Sequence, residues 1–142
     1  MGLIKKDVQI ELRTVIEDEG HKEMSIVKQT GKYTATEDRE VLVFKEQTEV
    51  GDIRNFITLQ DGKFTLKRSG AVSMNQRLIL NQETVCIYRH PYGNILMDAK
   101  TLSMDYERLK RDKPGVMQIM YELTLNDDQT RMHHLTLTYE GA

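Results

Sequence analysis

A glutamate and an arginine stand at inward-facing positions of two predicted β-strands, and they are the residues of this sequence best suited to chemistry. Glu46 follows Leu42 and Phe44 at intervals of two residues, and Arg68 follows two apolar residues at the same spacing. Side chains two apart lie on one face of a strand, so both charges face the predicted core. Because an unpaired buried charge is costly, we expect Glu46 and Arg68 to form an ion pair.

Further side chains on the predicted inner faces combine apolar surface with hydrogen-bonding groups. Tyrosine carries an apolar ring and a hydroxyl, and methionine is an adaptable lining. With Glu46 and Arg68, the candidate ligand-binding residues are Met74, Gln76, Tyr88, Thr101, Tyr121 and Tyr139. The same residues also fit a structural polar cluster that fixes strand register.

Three functions are compatible with these residues. We favour a non-enzymatic protein that binds a small, partly apolar ligand, anionic or carbonyl-bearing because of Arg68. The first alternative is an interaction module with a filled interior, whose outer face or open edge binds a protein partner. A homodimer is one form that such an interaction could take. The second alternative is an enzyme in which Glu46 is the general base and Arg68 clamps an anion.

Residue patterns for metal, cofactor or nucleophilic chemistry are weak. His133 and His134 are adjacent in a predicted strand, so their side chains face opposite sides and cannot chelate one ion together. Cys86 is the single cysteine, and no neighbouring base marks it as a nucleophile. Gly70 lies in a strand context rather than in a phosphate-binding loop. We therefore predict no metal site, no cofactor and no catalytic residue.

Composition indicates one soluble domain spanning residues 1–142. Charged residues make up 30% of the chain and the formal net charge is -2, so no basic surface for nucleic acid is expected. A single cysteine favours a reducing compartment. No apolar run approaches the roughly 18 residues of a membrane helix. We expect a cytoplasmic protein that binds neither membrane nor nucleic acid.

The elements that must position these residues are about ten short strands joined by tight turns, with no sustained helical period. An all-β, antiparallel up-and-down meander of this length leaves two edges unless it closes, so we predict a barrel of about eight to ten strands. Gly70 is predicted at a bulge or corner with positive φ, and Gly31 at a bulge that exchanges strand faces. The one short helix is predicted near residues 105–112.

A resemblance covers nearly the whole chain. The motif of residues 68–77, Arg-Ser-Gly-Ala-Val-Ser-Met-Asn-Gln-Arg, resembles the matching stretch of the YwiB-like family of small bacterial proteins of unknown function. Residues 15–18, 88–93 and 138–141 resemble the same family. The resemblance implies a lipocalin-like, calycin-type β-barrel. It brings no established activity and therefore no catalytic residues, and a fold alone does not fix a function.

Overall fold

The computed structural model describes residues 4–142, which form ten β-strands and no helix. The strands are β1 (Ile4–Asp18), β2 (His21–Ala35), β3 (Glu40–Thr48), β4 (Gly51–Gln60), β5 (Lys63–Gly70), β6 (Met74–Ile79), β7 (Glu83–His90), β8 (Gly93–Glu107), β9 (Gly115–Leu125) and β10 (Gln129–Gly141). Because residues 4–142 contain no helix, no helical segment of this part of the chain can cross a membrane.

The ten strands form one antiparallel sheet that curls into a nearly closed barrel. The strand order is β6-β5-β4-β3-β2-β1-β10-β9-β8-β7, so every strand pairs with its sequence neighbours except β6 with β7, and β1 also pairs with β10. The two ends of this order meet through an isolated bridge between Ser73, the residue before β6, and Arg89 of β7. The prediction of an all-β meander closed into a barrel is confirmed.

The barrel interior is built by the alternation seen in the sequence. Along the regular parts of the strands every second residue points inward, and the buried set includes Leu42, Ile57, Phe64, Leu78 and Leu137, none of which is exposed to solvent. Apolar burial of this kind stabilises a fold by about 25 cal/mol per Å² removed from water. The core is therefore continuous around the barrel, and polar side chains enter it at a few inward positions.

The barrel wall has two interruptions in its hydrogen bonding. Between β6 and β7, the Ser73–Arg89 bridge replaces a full ladder, and we call this gap the seam. The second interruption separates β2 from β3, which pair only from Lys32 to Ala35. Residues 21–31 of β2 therefore pair with β1 alone, and we call this stretch the free edge.

The predicted helix near residues 105–112 is wrong. Strand β8 continues to Glu107, and a bulge between Thr101 and Ser103 moves the inward positions by one residue. After the bulge, Met104 and Tyr106 pack against the core, a pattern that a search for uninterrupted alternation misses. The chain then turns over residues 108–114 through a bridge between Lys110 and Lys113.

The two glycine predictions have opposite outcomes. Gly31 makes no bulge, because β1 and β2 pair in one uninterrupted register. A Cβ there would lie 2.6 Å from the Val43 carbonyl oxygen, so glycine permits close approach of β3. Gly70 is confirmed at a corner, with φ of 107° where β5 ends. A Cβ at Gly70 would lie 2.5 Å from the Asp52 carbonyl oxygen.

Candidate functional site

Glu46 and Arg68 form the predicted ion pair on the inner side of the barrel, and Asn55 joins them. The Arg68 Nη2 and Glu46 Oε1 atoms are 3.3 Å apart, and each side chain is 18% exposed. Arg68 Nε donates a hydrogen bond of 3.2 Å to the Asn55 Oδ1 atom, and Asn55 Nδ2 donates one of 2.7 Å to Glu46 Oε1. The three side chains come from β3, β4 and β5, where Asn55 is directly opposite Arg68.

Arg68 also reaches across the end of β6 toward the far side of the seam. Met74 is its direct cross-strand neighbour on β6, and Tyr88 belongs to β7. The Arg68 guanidinium carbon lies 5.8 Å from the centre of the Tyr88 ring, a distance typical of cation–π contact. Four predicted site residues, Glu46, Arg68, Met74 and Tyr88, therefore meet at one place, the inner side of the seam.

A cleft of about 540 Å³ opens at the seam, and we call it the seam cleft. Its cations are Lys67, Arg68 and Arg89, and no carboxylate belongs to its lining. The rest of the lining is Ser69, Ser73, Met74, Asn75, Val85, Cys86, Ile87 and Leu96. Val85 is 60% exposed and Ile87 is 43% exposed, which is unusual for β-branched aliphatic side chains. Positive charge and apolar surface are therefore combined in one concavity.

Two further predicted residues are deeply buried and incompletely hydrogen-bonded. Gln76 is 5% exposed and Thr101 is 1% exposed. The Gln76 Nε2 and Thr101 Oγ1 atoms have no hydrogen-bond partner among the described residues. Gln76 lies two residues beyond Met74 on the inner face of β6, so its free donor belongs to the same wall as the seam cleft. A buried donor without a partner costs about 1–3 kcal/mol.

Tyr121 lies elsewhere in the interior, in a stack with a histidine. The rings of Tyr121 and His133 have centroids 5.1 Å apart. Burial lowers the pKa of His133 to about 4, with the positive charges of Arg131 and His134 adding to the effect. Burial also raises the pKa values of the Tyr121 hydroxyl and the Cys86 thiol. These groups are therefore neutral at pH 7, and they form an uncharged part of the core.

Tyr139 belongs to a separate cluster around Glu40, which the sequence analysis did not identify. Glu40 has no exposed surface. Its Oε1 accepts hydrogen bonds from the hydroxyls of Tyr106 and Tyr139, and its Oε2 accepts from the Tyr33 hydroxyl and the Leu109 N–H. Burial, followed by the bonds to Glu40, raises the pKa of all three tyrosines, so they remain protonated donors.

The alternation that placed Glu46 inward would also have found two of the missed residues. Glu40 precedes Leu42 by two positions, and Asn55 lies midway between the buried Ile53 and Ile57. Lys67 and Arg89 carried no such signal. They are outward residues whose meeting depends on how the two ends of the sheet approach each other.

Among residues 4–142, no group of three or more histidine, cysteine, aspartate or glutamate side chains is arranged to hold a metal ion. His133 faces the interior, whereas His134 lies 3.6 Å from the exposed Glu17 carboxylate, so the adjacent histidines do face opposite sides.

Comparisons with known proteins identify similar chains with the same architecture. Residues 10–137 match the family model described as "Domain of unknown function (DUF1934)". The chain is 30% identical over 135 residues to the uncharacterized beta-barrel protein YwiB of Bacillus subtilis, covering 95% of this chain and 94% of that protein. The crystal structure of the ywiB protein from Bacillus subtilis superposes with a TM-score of 0.84 at 26% identity, covering 97% of this chain and 93% of the other.

Proposed function

This chain belongs to the DUF1934 family of β-barrel proteins, whose function is not described, and we propose that it binds a small, partly apolar anion without catalysis. The observation that carries the proposal is the seam cleft, with three cations and no carboxylate in its lining. The lipocalin-like, ligand-holding barrel and the cytoplasmic location expected from the sequence are part of this proposal. The single cysteine supports a reducing compartment.

The size and lining of the seam cleft support a small-molecule ligand. Its volume of about 540 Å³ falls within the range of roughly 300–1,000 Å³ that is typical of ligand pockets. Arg68 is partly neutralised by Glu46, so Lys67 and Arg89 carry most of the unbalanced positive charge at the mouth. Val85, Ile87 and Leu96 offer apolar contacts to the rest of the ligand.

Two observations support binding rather than catalysis. Glu46, the general base of the enzyme hypothesis, accepts hydrogen bonds from Asn55 and Arg68 on its Oε1 atom and does not belong to the lining of the seam cleft. Cys86 supplies the thiol in the lining of the cleft. Burial raises the pKa of this thiol, and no histidine lies beside it in the lining. A thiol without a base is a poor nucleophile at neutral pH.

The test is titration with two anionic probes, decanoate and 8-anilinonaphthalene-1-sulfonate, which both join an apolar body to an acidic group. We expect binding of both probes to the wild-type protein. The double variant Lys67→Gln, Arg89→Gln should weaken binding about 10- to 100-fold, because each removed cation contributes on the order of 1 kcal/mol to a partly exposed charge pair. Decanol, which lacks the charge, should bind more weakly than decanoate.

The matched control is Lys45→Gln, Arg54→Gln, which removes the same charge from a cross-strand pair outside the seam cleft. This control should leave the affinity for decanoate unchanged. Equal weakening by the two double variants would show that net charge, and not the cleft, controls binding. Absence of saturable binding of either probe to the wild-type protein would contradict the proposal.

A further inference from the structure

Gln76 places an unused hydrogen-bond donor behind the seam cleft. The residue is 5% exposed, and its Nε2 atom has no hydrogen-bond partner among the described residues. The nearest inward side chains are apolar: Met74 and Leu78 lie two residues away on β6, and Leu66 is directly opposite on β5. Because nearly all buried polar groups in proteins have a partner, this donor requires an explanation.

The barrel wall is open at the level of Gln76. The bridge between Ser73 and Arg89 fixes how the two ends of the sheet face each other. Three residues along each strand from that bridge, Gln76 of β6 is opposite Cys86 of β7. Cys86 belongs to the lining of the seam cleft, as does Met74, so the Gln76 amide lies one inward position beyond the lining. The seam therefore separates this donor from the cleft by a gap in the wall and not by a hydrogen-bonded ladder.

The surroundings of this donor carry no net charge. Burial raises the pKa of the Cys86 thiol, so the thiol is protonated at pH 7. Burial also raises the pKa of the Tyr121 hydroxyl, and the nearby Cys86 adds to the effect, so this hydroxyl stays protonated as well. Glu46 and Arg68, on the inner side of the seam, neutralise each other. A neutral oxygen atom therefore suits this part of the interior better than a second anionic group.

We propose that Gln76 donates a hydrogen bond to a neutral oxygen of the ligand, so that the seam cleft takes an apolar acid with a second, uncharged oxygen, such as an oxo or hydroxy carboxylic acid. The inference rests on the proposed function, because the acid group is assigned to Lys67 and Arg89 at the mouth. The second oxygen reaches the Gln76 amide across the seam. A ligand without this oxygen leaves a buried donor without a partner, and sites of this kind discriminate strongly against such ligands.

Binding of decanoate and of a set of oxodecanoates that differ in the position of the carbonyl group tests the proposal. In the wild-type protein, the best oxodecanoate should bind at least about 10-fold more tightly than decanoate, because its carbonyl oxygen partners a buried donor. Gln76→Met keeps an unbranched side chain without a donor. In this variant the preference should fall below about two-fold, while decanoate binds at least as tightly as before.

The matched control is Thr101→Val, which removes another buried hydrogen-bonding atom that has no partner among the described residues. Thr101 is four residues along β8 from Met97, the residue that pairs with Cys86, so it lies roughly 13 Å from the level of Gln76 along the strands. This control should keep the preference for the oxodecanoate.

Infrared spectra of the bound oxodecanoate give a second readout. The ketone stretching band should lie at a lower wavenumber in the wild-type complex than in the Gln76→Met complex, because a hydrogen bond weakens the C=O bond. Equal affinity for decanoate and the oxodecanoates, a preference that survives Gln76→Met, or equal wavenumbers would refute the role of Gln76 and leave the anion site intact. Absence of binding by all of these acids would refute both.

Discussion

Replacement of Glu40 by glutamine should strongly destabilise the barrel, because one fully buried carboxylate accepts four hydrogen bonds. Two donors reach each oxygen: the Tyr106 and Tyr139 hydroxyls reach Oε1, and the Tyr33 hydroxyl and Leu109 N–H reach Oε2. These donors come from β2, β8, β10 and the segment after β8. The substitution keeps the side-chain shape but replaces one acceptor oxygen by an NH₂ group.

The magnitude follows from the number of contacts that change. The glutamine oxygen can satisfy one pair of donors, whereas its NH₂ group faces the other pair. Two hydrogen bonds to a charged acceptor are lost, each with a value of about 1.5–3 kcal/mol. A tyrosine hydroxyl can rotate to accept from the amide, which recovers part of the loss. We therefore expect Glu40→Gln to lower the free energy of unfolding by about 3–4 kcal/mol.

Urea denaturation followed by far-UV circular dichroism measures this loss, since the chain has no tryptophan. The control is Glu140→Gln, an exposed glutamate next to Tyr139 on β10, which should change stability by less than about 0.5 kcal/mol. Tyr139→Phe removes one donor and should cost about 1.5–3 kcal/mol in the wild type but less in the Glu40→Gln background. If Glu40→Gln changed stability by no more than Glu140→Gln, the four hydrogen bonds to Glu40 would not stabilise the fold by the predicted amount.

Three further predictions concern other buried or strained positions. Arg68→Met should lower the free energy of unfolding by about 2–3 kcal/mol, less than for a fully buried pair because both partners are 18% exposed. Adding Glu46→Leu should recover part of that loss in urea melts, and additive losses would argue against coupling of the two residues. Gly70→Val should cost at least about 2 kcal/mol, because φ is 107° and a Cβ would meet the Asp52 carbonyl; a variant as stable as wild type would refute the corner geometry. Burial lowers the His133 pKa to about 4 from 6.5, so its contribution to stability is complete above pH 6.5 and is lost as the pH falls toward 4. That loss should reach about 3 kcal/mol and be absent in His133→Phe, and an NMR titration giving an ordinary pKa would contradict it.

Local alternation explains why the Glu46–Arg68 pair could be predicted. Each residue shares a strand face with apolar neighbours two positions away, and the period of a strand is fixed by backbone geometry. Gly70 was predictable for a similar reason, because glycine between two alternating runs indicates a backbone that other residues adopt with strain. In both cases the relevant information lies within a few residues of the position.

Alternation misleads where a strand is irregular, and at the end of a strand it competes with the expectation that a charged residue is solvated. The bulge between Thr101 and Ser103 changes the parity of β8, so Tyr106 seemed to break the pattern and a helix was predicted in its place. Glu40 lies at the beginning of its strand, next to a turn, where a charged residue is ordinarily solvated. Its burial depends on three tyrosines that are 7, 66 and 99 residues away in sequence.

By itself, the sequence determined the strands, the inward faces of the regular ones and the all-β class, because alternation and turn residues act over short distances. Only the tertiary structure decided where the sheet closes and where it stays open. Closure brings Lys67 and Arg89 to one cleft, and the divergence of β2 from β3 leaves the free edge of β2 unpaired. Both depend on the twist and tilt of ten strands together, which no local pattern specifies.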